Sequence, residues 1–232
     1  MTADFLPLLL GFVVMALASL AIYARGSKHP EIRHHTQFHS VVTFLAATAY
    51  LAMALGTGKL TVGGETLYLA RYADWSVTTP ILLTGLAMTG LHEHGRHSSY
   101  ILPVVVLDVV MIATGLLSAL ADNAVERWIW YGWSCAAFLG VLYLLWLPIR
   151  RISADMGGSM DKVYRANLLF LTIVWLAYPV VFLLGPQGLG LTGAVADVWI
   201  ILVLDVMAKV VYGLLATARL DSIPESELRQ YD

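Results

Sequence analysis

The sequence predicts an all-α membrane protein in which seven helices cross the bilayer, and two observations lead to that prediction. Hydrophobic residues make up 59% of the 232 residues and charged residues only 13%, about half the charged share of an ordinary soluble domain. The apolar residues also fall in blocks of about 20, the length that a helix needs to cross a bilayer. The seven blocks cover residues 5–23, 39–57, 67–91, 100–120, 128–147, 168–185 and 195–215.

The blocks follow one another closely, which leaves little chain for a second domain. We therefore expect a single transmembrane domain over residues 1–232, with a short, loosely attached tail from about residue 220. No basic region precedes the first block and no small-residue cleavage site follows it. The first block is accordingly predicted to be a retained helix and not a signal peptide.

The basic residues predict how the chain is oriented. If the N-terminus lies outside, ten Lys and Arg residues fall in cytoplasmic segments, while only Lys59 and Arg127 fall in outer loops. Positive charge is retained on the cytoplasmic side of membrane proteins, so we expect the N-terminus outside and the C-terminus in the cytoplasm. The outer loops are short and carry little charge, which argues against a large extracellular partner. No nucleic-acid partner is expected.

Charged residues interrupt the apolar blocks at five places: Arg71, Asp74, Asp108, Asp205 and Lys209. Such residues are costly in a membrane, and they usually face the interior of a helix bundle and serve a function. Spacings of three and four place Arg71, Asp74 and Thr78 on one face of the third helix, and Asp205 and Lys209 on one face of the seventh. The alternative is a structural ion-pair network that only fixes helix register.

Lys209 favours the functional interpretation. A buried lysine loses its charge readily, and a neutral amine in an apolar pocket forms a Schiff base with an aldehyde. With acids beside it, such a nitrogen is a proton site whose affinity can be switched. Aromatic residues on the third, fifth and sixth helices are expected around it, although aromatic residues at this spacing also occur in ordinary cores. These residues are Trp75, Tyr131, Phe138, Trp175, Tyr178 and Phe182.

Three segments resemble microbial (type 1) rhodopsins, especially the bacteriorhodopsin-like and proteorhodopsin-like proton pumps. They are RYADW followed by TTP in residues 71–80, WLAYPVVF in residues 175–182 and LDVMAK in residues 204–209. The resemblance implies a seven-helix bundle enclosing all-trans retinal, which is bound to Lys209 as a protonated Schiff base. It also implies a retinal pocket that Lys209 shares with Trp75, Thr79, Leu82, Met111, Gly115, Tyr131, Ser134, Phe138, Trp175, Tyr178 and Phe182.

The same resemblance implies a light-driven pump that moves protons out of the cell. Asp74 would accept the Schiff-base proton, Asp205 would be the second counterion, and Thr78 would hydrogen-bond to Asp74. Arg71 would gate the outer half of the path. Directional transport further requires a change of access between the outward transfer and the uptake of a new proton from the inner side.

Gly85 departs from the pattern of the pumps. Where a carboxylate donor is used, an Asp or Glu lies eleven residues after the acceptor, about three turns or roughly 16 Å inward. The triplet Asp74, Thr78, Gly85 resembles a bacterial subgroup without that donor. We expect His39, in the first turn of the second helix, to lie at the depth of Gly85 and to fill the space that the missing carboxylate leaves. Because histidine titrates near neutral pH, His39 is expected to act as the proton donor or as part of a relay. The alternative is an interfacial histidine satisfied by water and headgroups.

The outer exit departs as well. The two acids that usually mark the release site correspond here to Gln187 and Asp197, so one carboxylate remains and release is expected late, from Asp74 itself. Asp108 matches a mid-helix aspartate of bacteriorhodopsin and is expected to be neutral, hydrogen-bonded and structural. A cytoplasmic loop holds His92, His94 and His97. These imidazoles suit a metal, but we expect a solvated loop and no metal site.

Three functions compete. A missing donor carboxylate is common in sensory rhodopsins that signal through a membrane partner, so Gly85 favours a sensor. Sensors coupled to transducers often place a threonine before the Schiff-base lysine, where this chain has Ala208, which favours the pump. A proton-coupled transporter without retinal is disfavoured by the aromatic residues and LDVMAK. The resemblance also implies a homo-oligomer, trimer or pentamer, in the bacterial inner membrane.

Overall fold

Seven long helices account for most of the computed structural model, which describes residues 3–91 and 99–228. In chain order they are α1 (Phe5–Arg25), α2 (Arg33–Ala54), α3 (Leu69–Gly90), α4 (Ile101–Leu120), α5 (Ala124–Met156), α6 (Gly158–Leu184) and α7 (Ala194–Leu220). Six of them are long and apolar enough to cross a membrane. The exception is α3, whose polar residues are those singled out above. The predicted seven-helix, all-α membrane fold is confirmed.

Several helices extend beyond the apolar blocks. The second helix begins at Arg33, six residues before its block, and the sixth begins at Gly158, ten residues before its block. Apolar residues mark the part of a helix that lies in lipid, whereas backbone hydrogen bonding continues into polar residues on either side. A π-helical turn at Leu145–Ile149 lies within α5 and contains Pro148, whose missing N–H displaces the regular hydrogen-bond ladder.

The helices pack as a closed ring in chain order. Each helix contacts the next along the chain, α7 also packs on α1 and α2, and α3 crosses the interior to contact α6. Large apolar side chains point outward, among them Leu20, Leu102 and Ile129, which are 67%, 68% and 63% exposed. An apolar exterior on this scale is not found on soluble monomers, but it suits a surface that faces lipid.

A short β-hairpin, unforeseen in the sequence, connects α2 and α3. Its strands are β1 (Lys59–Val62) and β2 (Glu65–Tyr68), and they pair antiparallel with Val62 opposite Glu65. The turn between them consists of Gly63 and Gly64, with φ angles of 58° and 88°. Two consecutive positive φ angles are what a tight hairpin turn requires.

The segment after α7 is packed against the bundle, so the prediction of a loosely attached tail is wrong through residue 228. Its short helix α8 (Glu225–Leu228) places the Glu227 carboxylate at the start of α6, where it accepts from Ser159 N at 2.9 Å and Ser159 Oγ at 3.1 Å. Ile223 is buried in an apolar cluster with Ile32 and Met160. These contacts join the C-terminal segment to α6 and to the turn before α2.

Candidate functional site

Lys209 lies at the centre of the bundle, in a π-helical turn of α7 that spans Val206–Val211. π-helical turns are uncommon and often occur at functional sites. Its side chain is 2% exposed, and its Nζ lies 2.5 Å from Asp74 Oδ2 and 3.1 Å from Asp205 Oδ1. One amine therefore stands between two buried carboxylates, one from α3 and one from α7.

Asp205 is surrounded by hydrogen-bond donors from three further positions. Its Oδ1 accepts from Trp75 Nε1 at 3.2 Å and from Tyr178 Oη at 2.9 Å, in addition to Lys209. Its Oδ2 accepts from Tyr50 Oη at 2.9 Å. Tyr50, about one turn before the end of α2, was not foreseen in the sequence.

Asp74 has a poorer set of donors. Its Oδ1 is buried and has no hydrogen-bond partner among the described residues. Thr78 donates to the backbone carbonyl of Asp74 at 2.8 Å. The predicted link between Thr78 and Asp74 is thus present at the helix backbone, and the Thr78 hydroxyl also acts on the Asp74 carboxylate.

A cavity opens from Lys209 between α3, α4, α5, α6 and α7. All twelve residues expected to bind retinal line it: Lys209, Trp75, Thr79, Leu82, Met111, Gly115, Tyr131, Ser134, Phe138, Trp175, Tyr178 and Phe182. The cavity is also lined by seven residues outside that set: Tyr72, Asp108, Ile112, Cys135, Pro179, Asp205 and Ala208. Asp108, Asp205 and Ala208 had been noted for other roles, and Tyr72 and Pro179 lie in the segments quoted above. Ile112 and Cys135 have no distinguishing pattern.

Polar contacts fix the walls of this cavity. Tyr131 Oη donates to the carbonyl of Pro179 at 3.0 Å, and Ser134 Oγ donates to the carbonyl of Met111 at 2.8 Å. A Cβ at Gly115 would lie 3.4 Å from Ser134 Oγ. A side chain there would reduce the space between α4 and α5.

Asp108 is fully buried and links α4 to α3. Its Oδ2 accepts from Thr79 Oγ1 at 2.6 Å, and its Oδ1 has no partner among the described residues. The contact fits the hydrogen-bonded structural role expected of it.

Arg71 turns away from the lysine site. Its Nη1 pairs with Asp197 Oδ2 at 3.1 Å, and within the described chain it forms no ion pair with Asp74 or Asp205. Gln187, expected next to Asp197 at the exit, instead donates to the carbonyl of Thr66 at 3.2 Å. Arg71 and Asp197 therefore form a buried ion pair, and Gln187 is bonded to the hairpin instead of to Asp197.

The space beside Gly85 is filled by His35 and Phe38, and the prediction that His39 fills it is wrong. A Cβ at Gly85 would lie 3.9 Å from His35 Nδ1 and 3.6 Å from Phe38 Cδ2. Because α2 begins at Arg33, His39 falls in the second helical turn. There its ring packs against Tyr212 at 5.3 Å, and its buried Nδ1 has no partner among the described residues.

The cytoplasmic histidines His92, His94 and His97 lie outside the described residues. Within residues 3–91 and 99–228, no group of three or more His, Cys, Asp and Glu side chains has the arrangement of a metal site.

The chemistry of the site fits an aldehyde ligand. The primary amine of Lys209 lies at the wall of a cavity lined by apolar and aromatic side chains. The carboxylates of Asp74 and Asp205 can balance the positive charge that remains on the nitrogen after condensation with an aldehyde. Seven helices around such a lysine define the class of microbial rhodopsins.

Comparison with known proteins gives the family. The chain belongs to the bacteriorhodopsin-like proteins, whose family model matches residues 2–223. It is 35% identical to bacteriorhodopsin of Halobacterium salinarum over 218 residues, which cover 91% of this chain and 82% of that protein. Members of this family are light-driven ion transporters and photoreceptors, not enzymes.

Solved structures agree with the sequence relatives. The thermophilic rhodopsin of Rubrobacter xylanophilus superposes with a TM-score of 0.88 at 34% identity, covering 93% of this chain and 95% of that one. The light-driven proton pump of Coccomyxa subellipsoidea superposes with a TM-score of 0.86 at 32% identity, covering 94% and 97%.

Proposed function

We propose that this protein is a light-driven proton pump that moves protons outward, with all-trans retinal bound to Lys209. The observation that carries the proposal is the position of the Lys209 amine, between the carboxylates of Asp74 and Asp205 and at the wall of the apolar cavity. When bound there as a Schiff base, retinal supplies the absorption of light and the isomerisation that starts transport.

Asp74 is proposed as the proton acceptor. Its Oδ2 is 2.5 Å from Lys209 Nζ, whereas Asp205 is farther away and already accepts from Trp75, Tyr50 and Tyr178. These three bonds occupy both oxygens of Asp205, whereas Oδ1 of Asp74 has no partner among the described residues. The carboxylate with fewer donors is the better base, so the proton held at Nζ moves to Asp74.

Charge balance in the outer half supports this transfer. Before it, Lys209 carries one positive charge beside two negative carboxylates, and Arg71 is paired with Asp197. After it, Nζ and Asp74 are neutral, while Asp205 keeps its donors. The transferred proton then leaves outward from Asp74, past Arg71.

The inward side is proposed to use histidine in place of a carboxylate. Gly85 carries no acid, and His35 and His39 lie one turn apart on α2, both buried. The unpartnered Nδ1 of His39 is free to accept a hydrogen bond from water. We retain His39 as the donor or relay, with His35 beside Gly85 as the more cytoplasmic group.

Orientation, membrane and assembly complete the proposal. The excess of basic residues in the inner segments supports an outside N-terminus and a cytoplasmic C-terminus. A bacterial inner membrane and a trimeric or pentameric assembly are expected by analogy with the family.

Expression of the chain with all-trans retinal in unbuffered cells tests the function. We expect a visible absorption band and light-induced acidification of the medium that a protonophore abolishes. The Lys209→Ala variant should lose both, whereas Lys162→Ala should keep them. A coloured protein without a pH change would instead favour a sensory rhodopsin, and a colourless wild type would overturn the proposal.

His39→Gln tests the inward route in the same pigment. We expect slower reprotonation of the Lys209 nitrogen after a flash, with the outward transfer to Asp74 unchanged. His29→Gln is the matched control, because His29 lies in the same segment but outside the helix. Unchanged reprotonation in His39→Gln would exclude the relay.

A further inference from the structure

An acid, a base and a tyrosine meet at the outer end of the bundle. Asp4, immediately before α1, accepts from Tyr68 Oη and from Lys59 Nζ, the latter at 3.0 Å. Lys59 begins β1 and Tyr68 ends β2, and the two are paired across the hairpin. We refer to Asp4, Lys59 and Tyr68 as the outer clasp, because they join the hairpin to the start of α1.

The tyrosine of the clasp reaches Arg71. The guanidinium carbon of Arg71 lies 5.4 Å from the centre of the Tyr68 ring, a distance at which a cation is attracted to an aromatic face. The guanidinium also pairs with Asp197, at 3.1 Å. Arg71 is therefore in contact with the clasp as well as with its carboxylate partner on α7.

The clasp is itself well fixed. Tyr68 is 5% exposed, and burial together with the hydrogen bond to Asp4 raises the pKa of its hydroxyl above the usual value. The hydroxyl consequently keeps its proton and remains a donor. Lys59 adds a second contact to the same ring, with Nζ 5.0 Å from its centre.

Arg71 has a competing attraction in the opposite direction. Asp74 follows it by three residues on α3, a spacing at which an arginine and an aspartate can pair. Lys209 offsets only one of the two negative charges of Asp74 and Asp205. One negative charge therefore remains at the lysine site both before the proton moves and after it, when Asp205 carries it, and this charge attracts the guanidinium inward.

We propose that the outer clasp is a positioning device that holds Arg71 on Asp197, and thereby sets how strongly the charge of Arg71 acts on Asp74. This rests on the proposed function only in taking Asp74 as the proton acceptor. The clasp residues do not touch the lysine site and act through Arg71.

Other polar and titratable groups face Arg71 and Asp74, and a test of the clasp must leave these groups unchanged. The groups in electrostatic contact with Arg71 are Asp197, Tyr50, Tyr72 and Tyr68, and those in contact with Asp74 are Lys209, Asp205, Thr78, Tyr50 and Tyr178. They come from α2, α3, α6, α7 and the hairpin. Substitutions in the clasp leave all of them in place except Tyr68 itself.

The test is an acid titration of the visible band of the retinal-loaded protein. Protonation of Asp74 removes a negative charge beside the Lys209 nitrogen and changes the colour, so the midpoint reports on Asp74. Tyr68→Phe removes the bond to Asp4 without changing any charge. If the guanidinium then moves inward, the ionised form of Asp74 is favoured, and the midpoint should fall by about half a pH unit.

Asp4→Asn should lower the midpoint as well, while Glu65→Gln, at the exposed start of β2, should leave it unchanged. In an Arg71→Gln background the effect of Tyr68→Phe should vanish, as in a double-mutant cycle. An unchanged midpoint in Tyr68→Phe, or the same shift without Arg71, would overturn the positioning role. A colourless wild type would be recognised before any titration and would overturn the proposed function together with this inference.

Discussion

The Nζ of Lys209 lies 2.5 Å from Oδ2 of Asp74 in the buried interior of the bundle. A charged pair removed from water is stable only if further groups compensate it. Asp205 supplies the second negative charge, and its own donors hold that charge in place. Asp74 has no comparable support, since its Oδ1 is unpartnered among the described residues. The asymmetry between the two carboxylates supports the proposal that Asp74 is the acceptor and Asp205 the permanent counterion.

Replacing the acceptor should therefore change colour and function together. In Asp74→Asn we expect the visible band to move to longer wavelength, because the positive charge is less localised on the nitrogen when its nearest negative neighbour is gone. Light-induced acidification should fall to background. Absorption spectra and proton-transport assays measure both effects. Asp122→Asn, an exposed acid in the connection between α4 and α5, is the control. An Asp74→Asn variant that still pumps would exclude Asp74 as acceptor.

The contact between α3 and α4 should contribute to stability. Thr79→Val keeps the shape of the side chain but removes the hydroxyl that lies 2.6 Å from Asp108. A buried carboxyl without a partner costs about 1–3 kcal/mol. We expect a lower temperature for the thermal loss of the visible band.

Thr84→Val is the matched control for this substitution, because among the described residues Thr84 donates only to the carbonyl of Pro80 in its own helix. Equal losses of stability in the two variants would mean that the bond to Asp108 contributes nothing beyond the helix-internal one.

The number of helices and their order were predictable, because length and apolar composition are set by the bilayer and not by the details of packing. The helix ends were less predictable. The helix at Arg33 starts in a polar segment with three histidines, where nothing in the composition separates helix from loop. The helix begins earlier than expected, which places His39 one turn farther along it than expected and puts His35 beside Gly85.

The site was predictable to the extent that its residues stand out in a membrane. Lys209, Asp74 and Asp205 are charged in apolar surroundings, and spacing alone placed each on a shared face. The partners of Asp205 and Arg71 depend on how helices cross. Tyr50 reaches Asp205 from α2, and Tyr68 reaches Arg71 from a hairpin whose register the sequence does not specify.

A carboxylate placed at Gly85 should speed the uptake of a proton. A Cβ at this position lies at ordinary contact distance from its nearest described neighbours, Phe38 at 3.6 Å and His35 at 3.9 Å, so the Cβ of an aspartate is accommodated there. In Gly85→Asp we expect faster reprotonation of the Lys209 nitrogen, by roughly 100-fold, the lower end of what a positioned proton donor contributes. Flash-induced absorption changes give the rate.

Gly85→Asp adds both volume and an acid at this position. Gly85→Ala separates these two effects, because it adds volume without an acid. We expect its reprotonation rate to stay close to that of the wild type. Acceleration of equal size in both variants would show that space, and not the missing donor, limits uptake.

The close approach of α1 and α2 connects helix packing with the lysine site. A Cβ at Gly11 would lie 2.3 Å from Cδ1 and 2.6 Å from Cε1 of Tyr50, so the ring would have to move. Tyr50 holds Asp205 through its hydroxyl, and displacement of the ring removes a donor from that carboxylate. In Gly11→Ala we expect a loss of about 1–3 kcal/mol from overpacking and a shifted visible band.

Gly132 offers the control for this last substitution. It is helical and exposed, and a Cβ there would meet no atom within 4 Å. Gly132→Ala should be neutral or more stable by about 0.5–1 kcal/mol, because alanine loses less conformational freedom in a helix than glycine. Thermal denaturation followed at the absorption band compares the two variants. If Gly11→Ala lost stability without any change of colour, Tyr50 would matter for packing alone, and its bond to Asp205 would have no part in tuning the site.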